Sequence, residues 1–337
     1  MTLRLGFFTR LLDDASAAER YRLGAAQILQ AERYGFDSAW IAQHHFHEDE
    51  GGLPAPFVFL GHVAARTSRI RLGTGIVTLP LELPLRVAED AAVLDLMSDG
   101  RLELGIGPGG NAAAFTAFGL SGAERGRIFG ENTQILKHAL AGGALPGGDH
   151  LYPAPPSSLV DRMWQATFTV EGARRAGAAG DGLLLSRTQP RAAGQSLSDV
   201  QGPMIDAYLE ALPAGREPRI LASRTVFVAD DRADAFRFAE IGLQRFSARL
   251  ISLGRAKGGE TTQALIAALD VHLGTAEDVV ASLRKDDTLA RATDLAVQVH
   301  SVDPPHDFIL RSIELVAEKV APEFGWRREA EGMRHVA

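Results

Sequence analysis

The chain has 337 residues, with 35 Lys+Arg against 42 Asp+Glu, a formal net charge of −7 and no cysteine. That length supports one large domain with a substantial core, and 46% hydrophobic against 23% charged residues excludes a disordered chain. An acidic balance without a basic stripe argues against a nucleic-acid partner, and the missing thiols exclude disulfides, zinc–thiolate sites, iron–sulfur clusters and cysteine nucleophiles.

The elements alternate along the chain. Residues 3–8 read as a strand, and residues 17–34 as an amphipathic helix closed by Gly35. Strand 36–41 and helix 57–66 follow, then strand 70–79 and helix 84–97, opened by Pro84 and closed at Gly100. Strand 102–106 leads to helix 123–140 and to a Gly/Pro-rich stretch, 142–158, without periodicity. Next come strand 163–166, helix 170–178, strand 182–186, a loop over 187–199 and helix 200–212. Strand 220–228 and helix 233–252 precede a Gly-containing loop, an extra helical stretch and a capped helix at 275–285. Strand 295–300 and helix 304–320 complete the series.

Eight strands, each followed by a helix and spread over the chain without a linker, predict an α/β fold: a single (β/α)8 TIM barrel with loop insertions. A doubly wound sheet with a cap domain is the rival. No run approaches the roughly 20 apolar residues of a membrane span. Residues 1–10 lack the basic start and long apolar stretch of a signal peptide, so a cytoplasmic protein without a membrane partner is expected.

A barrel places its chemistry at the C-terminal ends of its strands. Gln43-His44-His45-Phe46-His47 follows the second strand, where imidazoles suit proton transfer. A polar loop is the plain alternative. A metal site is weaker, because adjacent strand side chains point to opposite faces and no carboxylate is placed to complete the set. Gly73-Thr74-Gly75 clears space for a flat ligand or marks a barrel bend. In Gly105-Ile106-Gly107-Pro108-Gly109-Gly110, Pro108 interrupts a nucleotide fingerprint and no helix opens at once, so a small-residue turn beside a bound group is expected. Thr167 and Thr169 stand where a helix start would hold a phosphate or be capped. Ser186-Arg187-Thr188-Gln189-Pro190-Arg191 suits anion capture or a solvated loop. Residues 95–101 fall on the opposite, stability face, with Arg101 expected to pair with Asp95 or Glu89.

These segments, in this order, resemble the bacterial luciferase-like flavin-dependent monooxygenase family. The resemblance spans most of the chain. It is carried by residues 31–40 with Gln43-His44-His45-Phe46, and by residues 71–107, which include Leu72-Gly73-Thr74-Gly75, Pro84, Arg86, Glu89-Asp90, Leu94-Asp95 and Ser98-Asp99-Gly100-Arg101. The resemblance implies a barrel that binds FMN, reduced by a separate reductase, and uses O2 to oxygenate a small organic substrate through a C4a-hydroperoxyflavin. It implies His44 as the acid–base residue, with His45 beside it or fixing the loop. It places the cofactor against Phe8, Thr74, Gly75 and Ile76, with a cis peptide at Gly75–Ile76. The phosphate falls to Gly107, Gln165, Thr167 and Thr169, with Ser186 and Arg187 nearby. A homodimer is implied as well.

Two departures stand out. Gln43 replaces the luciferases' Glu, removing a carboxylate that would raise a histidine pKa, and Gly107-Pro108 replaces their Cys-Arg. Arg187 or Arg191 would have to supply the lost charge, and light emission is not implied. Related barrels make a deazaflavin (F420)-dependent hydride-transfer enzyme the first alternative, and a non-catalytic flavin-binding subunit the second. Loops 142–158 and 187–199 would set the substrate.

Overall fold

The computed structural model describes residues 3–192, 195–252 and 258–326. Parts of two expected loops, residues 193–194 and 253–257, lie outside the described residues. The strands are β1 (Arg4–Thr9), β2 (Ser38–Ile41), β3 (Arg71–Thr74), β4 (Val77–Thr78), β5 (Leu102–Gly107), β6 (Met163–Ala166), β7 (Gly182–Leu185), β8 (Ile220–Val228), β9 (Val271–Gly274) and β10 (Asp294–Gln298). The helices are α1 (Ala17–Arg33), α2 (Pro56–Ala64), α3 (Pro84–Met97), α4 (Ala112–Ala117), α5 (Arg125–Leu140), α6 (Val170–Ala178), α7 (Leu197–Ala211), α8 (Arg232–Ser252), α9 (Thr262–Ala268), α10 (Ala276–Leu283) and α11 (His306–Leu315).

All pairings are parallel. Strands β1, β2, β3, β5, β6, β7, β8 and β10 form a ring closed by β10 against both β1 and β8. This is the expected eight-stranded barrel. The predicted strand 70–79 is split: β3 ends at Thr74, the Gly75–Ile76 peptide is cis, and β4 resumes against β5. β9 was not predicted. It lies outside the ring, paired with the outer half of β8 from Thr225 to Val228. α7 begins at Leu197, ahead of the predicted position, because Ser196 and Asp199 cap each other's backbone amides. α4 was also missed; Asn111 caps it by accepting from the Ala113 and Ala114 amides. Among the described residues no helix is long and apolar enough to cross a membrane.

The two-residue strand period turns Arg4, Gly6 and Phe8 of β1 inward, with Ser38 and Trp40 of β2, Glu103 of β5, Trp164 of β6 and Leu184 of β7. Trp40 and Trp164 fill the middle. Their rings meet edge to face at 5.5 Å and 86°, a geometry worth about 0.5–1.5 kcal/mol beyond the area buried. Each indole N–H is bonded: Trp40 Nε1 donates to Ser38 Oγ at 2.9 Å, and Trp164 Nε1 to Glu103 Oε2 at 2.6 Å. Below them ion pairs close the barrel floor, Arg4 with Asp294 and Arg71 with Glu103. Neighbouring strands make room with glycine. A Cβ on Gly73 would lie 2.3 Å from Trp40 Cε3, and one on Gly182 would lie 2.1 Å from Trp164 Cε3.

The stability face differs from expectation in one pairing. Buried Asp95 takes Arg162, at 2.6 and 2.8 Å, rather than Arg101. Arg101 instead donates to Ser98, Ile70, Ala64 and Thr67, tying α2 to the start of β5.

The tryptophan layer yields a test. Overpacking of this kind costs about 1–3 kcal/mol, so Gly182→Ala lowers the urea midpoint clearly. Gly202→Ala on α7, with nothing within 4 Å of the added Cβ, leaves the midpoint unchanged or slightly higher. Equal midpoints for the two variants would contradict this packing.

Candidate active site

Above the tryptophans the strand ends open into a cleft of about 350 Å³, within the range of small-molecule sites. Phe8, Trp40, Ala166, Leu184 and Leu221 form its apolar base, and Gly75, Ile76 and Gly107 one wall. The wall is flat because backbone and ring are in contact: a Cβ on Gly75 would lie 2.6 Å from Phe8 Cε2, and one on Gly107 would lie 3.0 Å from Ile76 Cδ1. Gly73, by contrast, serves Trp40 and not the cleft.

Of the residues singled out in the sequence, Phe8, His44, His45, Gly75, Ile76, Gly107, Thr167, Ser186 and Arg187 line this cleft. Thr74, Gln165 and Thr169 do not. The Thr74 hydroxyl donates to the Gly105 carbonyl at 2.8 Å and accepts from the Gly105 amide at 2.9 Å, stitching β3 to β5. Gln165 alternates with inward Trp164 and donates to Asp181, which also pairs with Lys137. Thr169 caps α6 by accepting from the Gly172 amide at 3.0 Å. Arg187 lines the same cleft as Thr167 and Ser186, and its Nη1 reaches toward Ser301, beyond β10, at 3.5 Å.

His44 sits in a network that the sequence concealed. Arg10, one residue past β1, approaches His44 Nε2 with Nη2 at 3.0 Å. An arginine only donates, so Nε2 is the acceptor and the ring proton lies on Nδ1. That nitrogen faces Glu50 Oε2 at 3.8 Å. The carboxylate missing at Gln43 is thus supplied six residues beyond His44. Glu50 is held in turn by Arg249 at 2.6 Å and by the Asn111 amide. Burial, then the charge of Arg10, push His44 down to about 4, with Glu50 opposing. The nearby His44 Nδ1, aided by the charge of Arg249, brings Glu50 to about 2.

Gln43 braces the wall. Its carbonyl accepts from the Thr78 amide at 2.7 Å and its amide donates to Glu82 at 2.8 Å. His45 stands edge-on to Phe118, with centroids 5.1 Å apart, and its buried Nε2 has no partner. Burial lowers its pKa too. Beyond β1 on the rim, Gln298 of β10 donates to Ser223 Oγ at 2.8 Å and leaves Oε1 without a partner among the described residues. Arg187 Nη2 is likewise buried and has no partner among the described residues. Sequence reasoning missed Arg10, Glu50, Asn111, Ser223 and Gln298. The inward period Asp294, Ala296, Gln298 was the signal for the last, and the strand-end position was the signal for Arg10.

A buried flat wall, titratable imidazoles and unsatisfied donors and acceptors in one cleft fit a planar polar cofactor of the flavin kind. The family described as luciferase-like monooxygenase matches residues 1–298. The chain is 28% identical over 318 residues to 4-hydroxyprotoasukamycin monooxygenase of Streptomyces nodosus subsp. asukaensis, covering 87% of this chain and 84% of that one. Its fold matches the crystal structure of monooxygenase RslO1 from Streptomyces bottropensis with TM-score 0.79 and 25% identity, over 96% and 100% of the two chains. It also matches the coenzyme F420-dependent tetrahydromethanopterin reductase of Methanopyrus kandleri, with TM-score 0.70 and 20% identity over 96% and 100%. The chain belongs to the luciferase-like monooxygenase family, which includes both FMN monooxygenases and F420-dependent oxidoreductases.

Proposed function

We propose that the protein is a cytoplasmic, FMN-dependent monooxygenase that receives reduced flavin from a separate reductase and transfers one oxygen atom of O2 to a small organic substrate. The observation that carries this is the joining, in one cleft, of the Phe8–Gly75–Ile76 wall with the His44–Arg10–Glu50 network. Relatives named monooxygenases, 28% and 25% identical over most of both chains, support it.

In this reading the flat wall and Gly107 hold the ring, while the Thr167 and Ser186 hydroxyls, beside the amides of α6, hold the phosphate. Thr74, Gln165 and Thr169 keep the surrounding strands and the helix start in place. Reduced FMN supplies the electrons that activate oxygen. The protein orients it, excludes water through Trp40, Leu184 and Leu221, and manages protons. His44 carries a proton on Nδ1, steadied by Glu50. It offers Nε2 as the base once Arg10 turns to an incoming group. His45 adds an unpartnered Nε2 at the same wall.

Anaerobic titration with reduced FMN and reduced F420 tests the cofactor, followed by admission of O2 and measurement of its uptake. Tight binding of FMN with oxygen uptake is expected. Binding of F420 alone, without oxygen uptake, would replace the proposal with hydride transfer.

His44→Gln keeps an acceptor for Arg10 and removes the titratable nitrogen. It lowers turnover by about 10²–10⁴-fold, the usual contribution of a general acid–base, with FMN affinity retained. Because His44 is neutral above its pKa of about 4, the wild-type acid limb lies near that pH and not at the ordinary 6.5. A limb at 6.5, or unchanged turnover in the variant, would remove His44 from proton transfer.

A homodimer is part of the same proposal. Val58 of α2 (76% exposed), Leu83 before α3 (71%) and Met97 of α3 (63%) are open to solvent, as are Leu96 of α3 and Ile135 of α5. Their helices pack side by side, and exposed apolar side chains on neighbouring helices support an interface there. Sedimentation velocity is expected to show a dimer that L96E/M97E dissociates; a wild-type monomer would contradict it.

A further inference from the structure

Among the described residues, two arginines on one arc of the cleft make no bond to a carboxylate. Arg187 leaves the end of β7 almost fully buried; its Nη1 has only Ser301 Oγ, at 3.5 Å, and its Nη2 has nothing. Part-buried Arg10 gives its protons to the Glu50 backbone carbonyl and to His44 Nε2, both neutral. Asp303, the acid whose charge both arginines feel, is bonded to His300 Nδ1 at 2.7 Å. Glu50 is engaged by Arg249 and Asn111. A guanidinium taken out of water without a bonded anion is costly, and its empty donor marks where an anion would repay that cost.

In the reading proposed above, the flavin phosphate is not that anion. In the ring of eight strands β6, which leads into Thr167, stands opposite β1, which leads into Arg10. Arg187 turns toward Ser301, which follows β10. Leu184 and Leu221 of the apolar base line the same cleft as the two arginines. The arc therefore offers a cationic end and an apolar body side by side.

We infer that this arc is a substrate subsite for a carboxylate, held by Arg187 with Arg10 beside it, and that the substrate carries one carboxylate on an apolar body. Only the word substrate rests on the monooxygenase reading; the anion site stands on the buried donors. A guanidinium suits a planar carboxylate because two N–H groups meet two oxygens.

Benzoate is the probe and benzamide its neutral counterpart, titrated into flavin-free protein by calorimetry. FMN affinity is measured separately on the same samples by fluorescence. Benzoate is expected to bind at least about tenfold more tightly than benzamide, as a charge-assisted bond requires. Arg187→Met should abolish that preference and Arg187→Lys should keep part of it, with FMN affinity unchanged in both. The lysine variant guards against a methionine variant that fails to fold. Equal binding of benzoate and benzamide would overturn the inference. So would competition between benzoate and FMN, or joint loss of both in Arg187→Met, since Arg187 would then belong to the phosphate site. If FMN fails to bind while benzoate shows the Arg187-dependent preference, the subsite stands and the monooxygenase proposal falls.

Discussion

The edge-to-face contact of Trp40 with Trp164 divides the barrel into two compartments. Below it, Arg4–Asp294 and Arg71–Glu103 form a polar floor that meets solvent; above it, the strand ends are free to form a cleft. Two indoles need more width than an eight-stranded barrel gives to ordinary side chains, and the strands beside them therefore carry glycine at Gly73 and Gly182. Their N–H groups are paid for by Ser38 and Glu103, so the layer is both apolar and satisfied. Cleft depth, and hence what fits in it, follows from this one layer.

Charge in the cleft is unevenly shared. One side holds a complete circuit of Arg10, His44, Glu50, Asn111 and Arg249, in which each charge meets a partner or a good acceptor. Beyond Arg10 on the same arc, Arg187 and Gln298 leave a donor and an acceptor unused among the described residues. The first arrangement fixes a tautomer and a proton. The second awaits a guest. A site that moves protons at one point and recognises charge at another needs this asymmetry.

Much of the fold was legible because the barrel's alternation of strand and amphipathic helix is written in hydrophobic period. β9 was not, since four residues beside a longer partner leave no periodic mark. The candidate site was partly legible. His44, Gly75 and Thr167 follow strand ends, where a barrel concentrates function. Thr74 and Gln165 were misplaced because strict alternation was not applied: each neighbours an inward residue, Gly73 or Trp164, and so faces outward. Glu50 illustrates the opposite limit. It reaches His44 through a loop whose path depends on Arg10, Arg249 and Asn111, three residues from distant parts of the chain.

A crystal structure of the protein with FMN would test the division of the cleft most directly. The expected result is the flavin ring against Phe8, Gly75 and Ile76, with the phosphate at Thr167 and Ser186, leaving Arg187 Nη2 uncovered. A phosphate bonded to Arg187, or a ring lying elsewhere in the barrel mouth, would contradict the account.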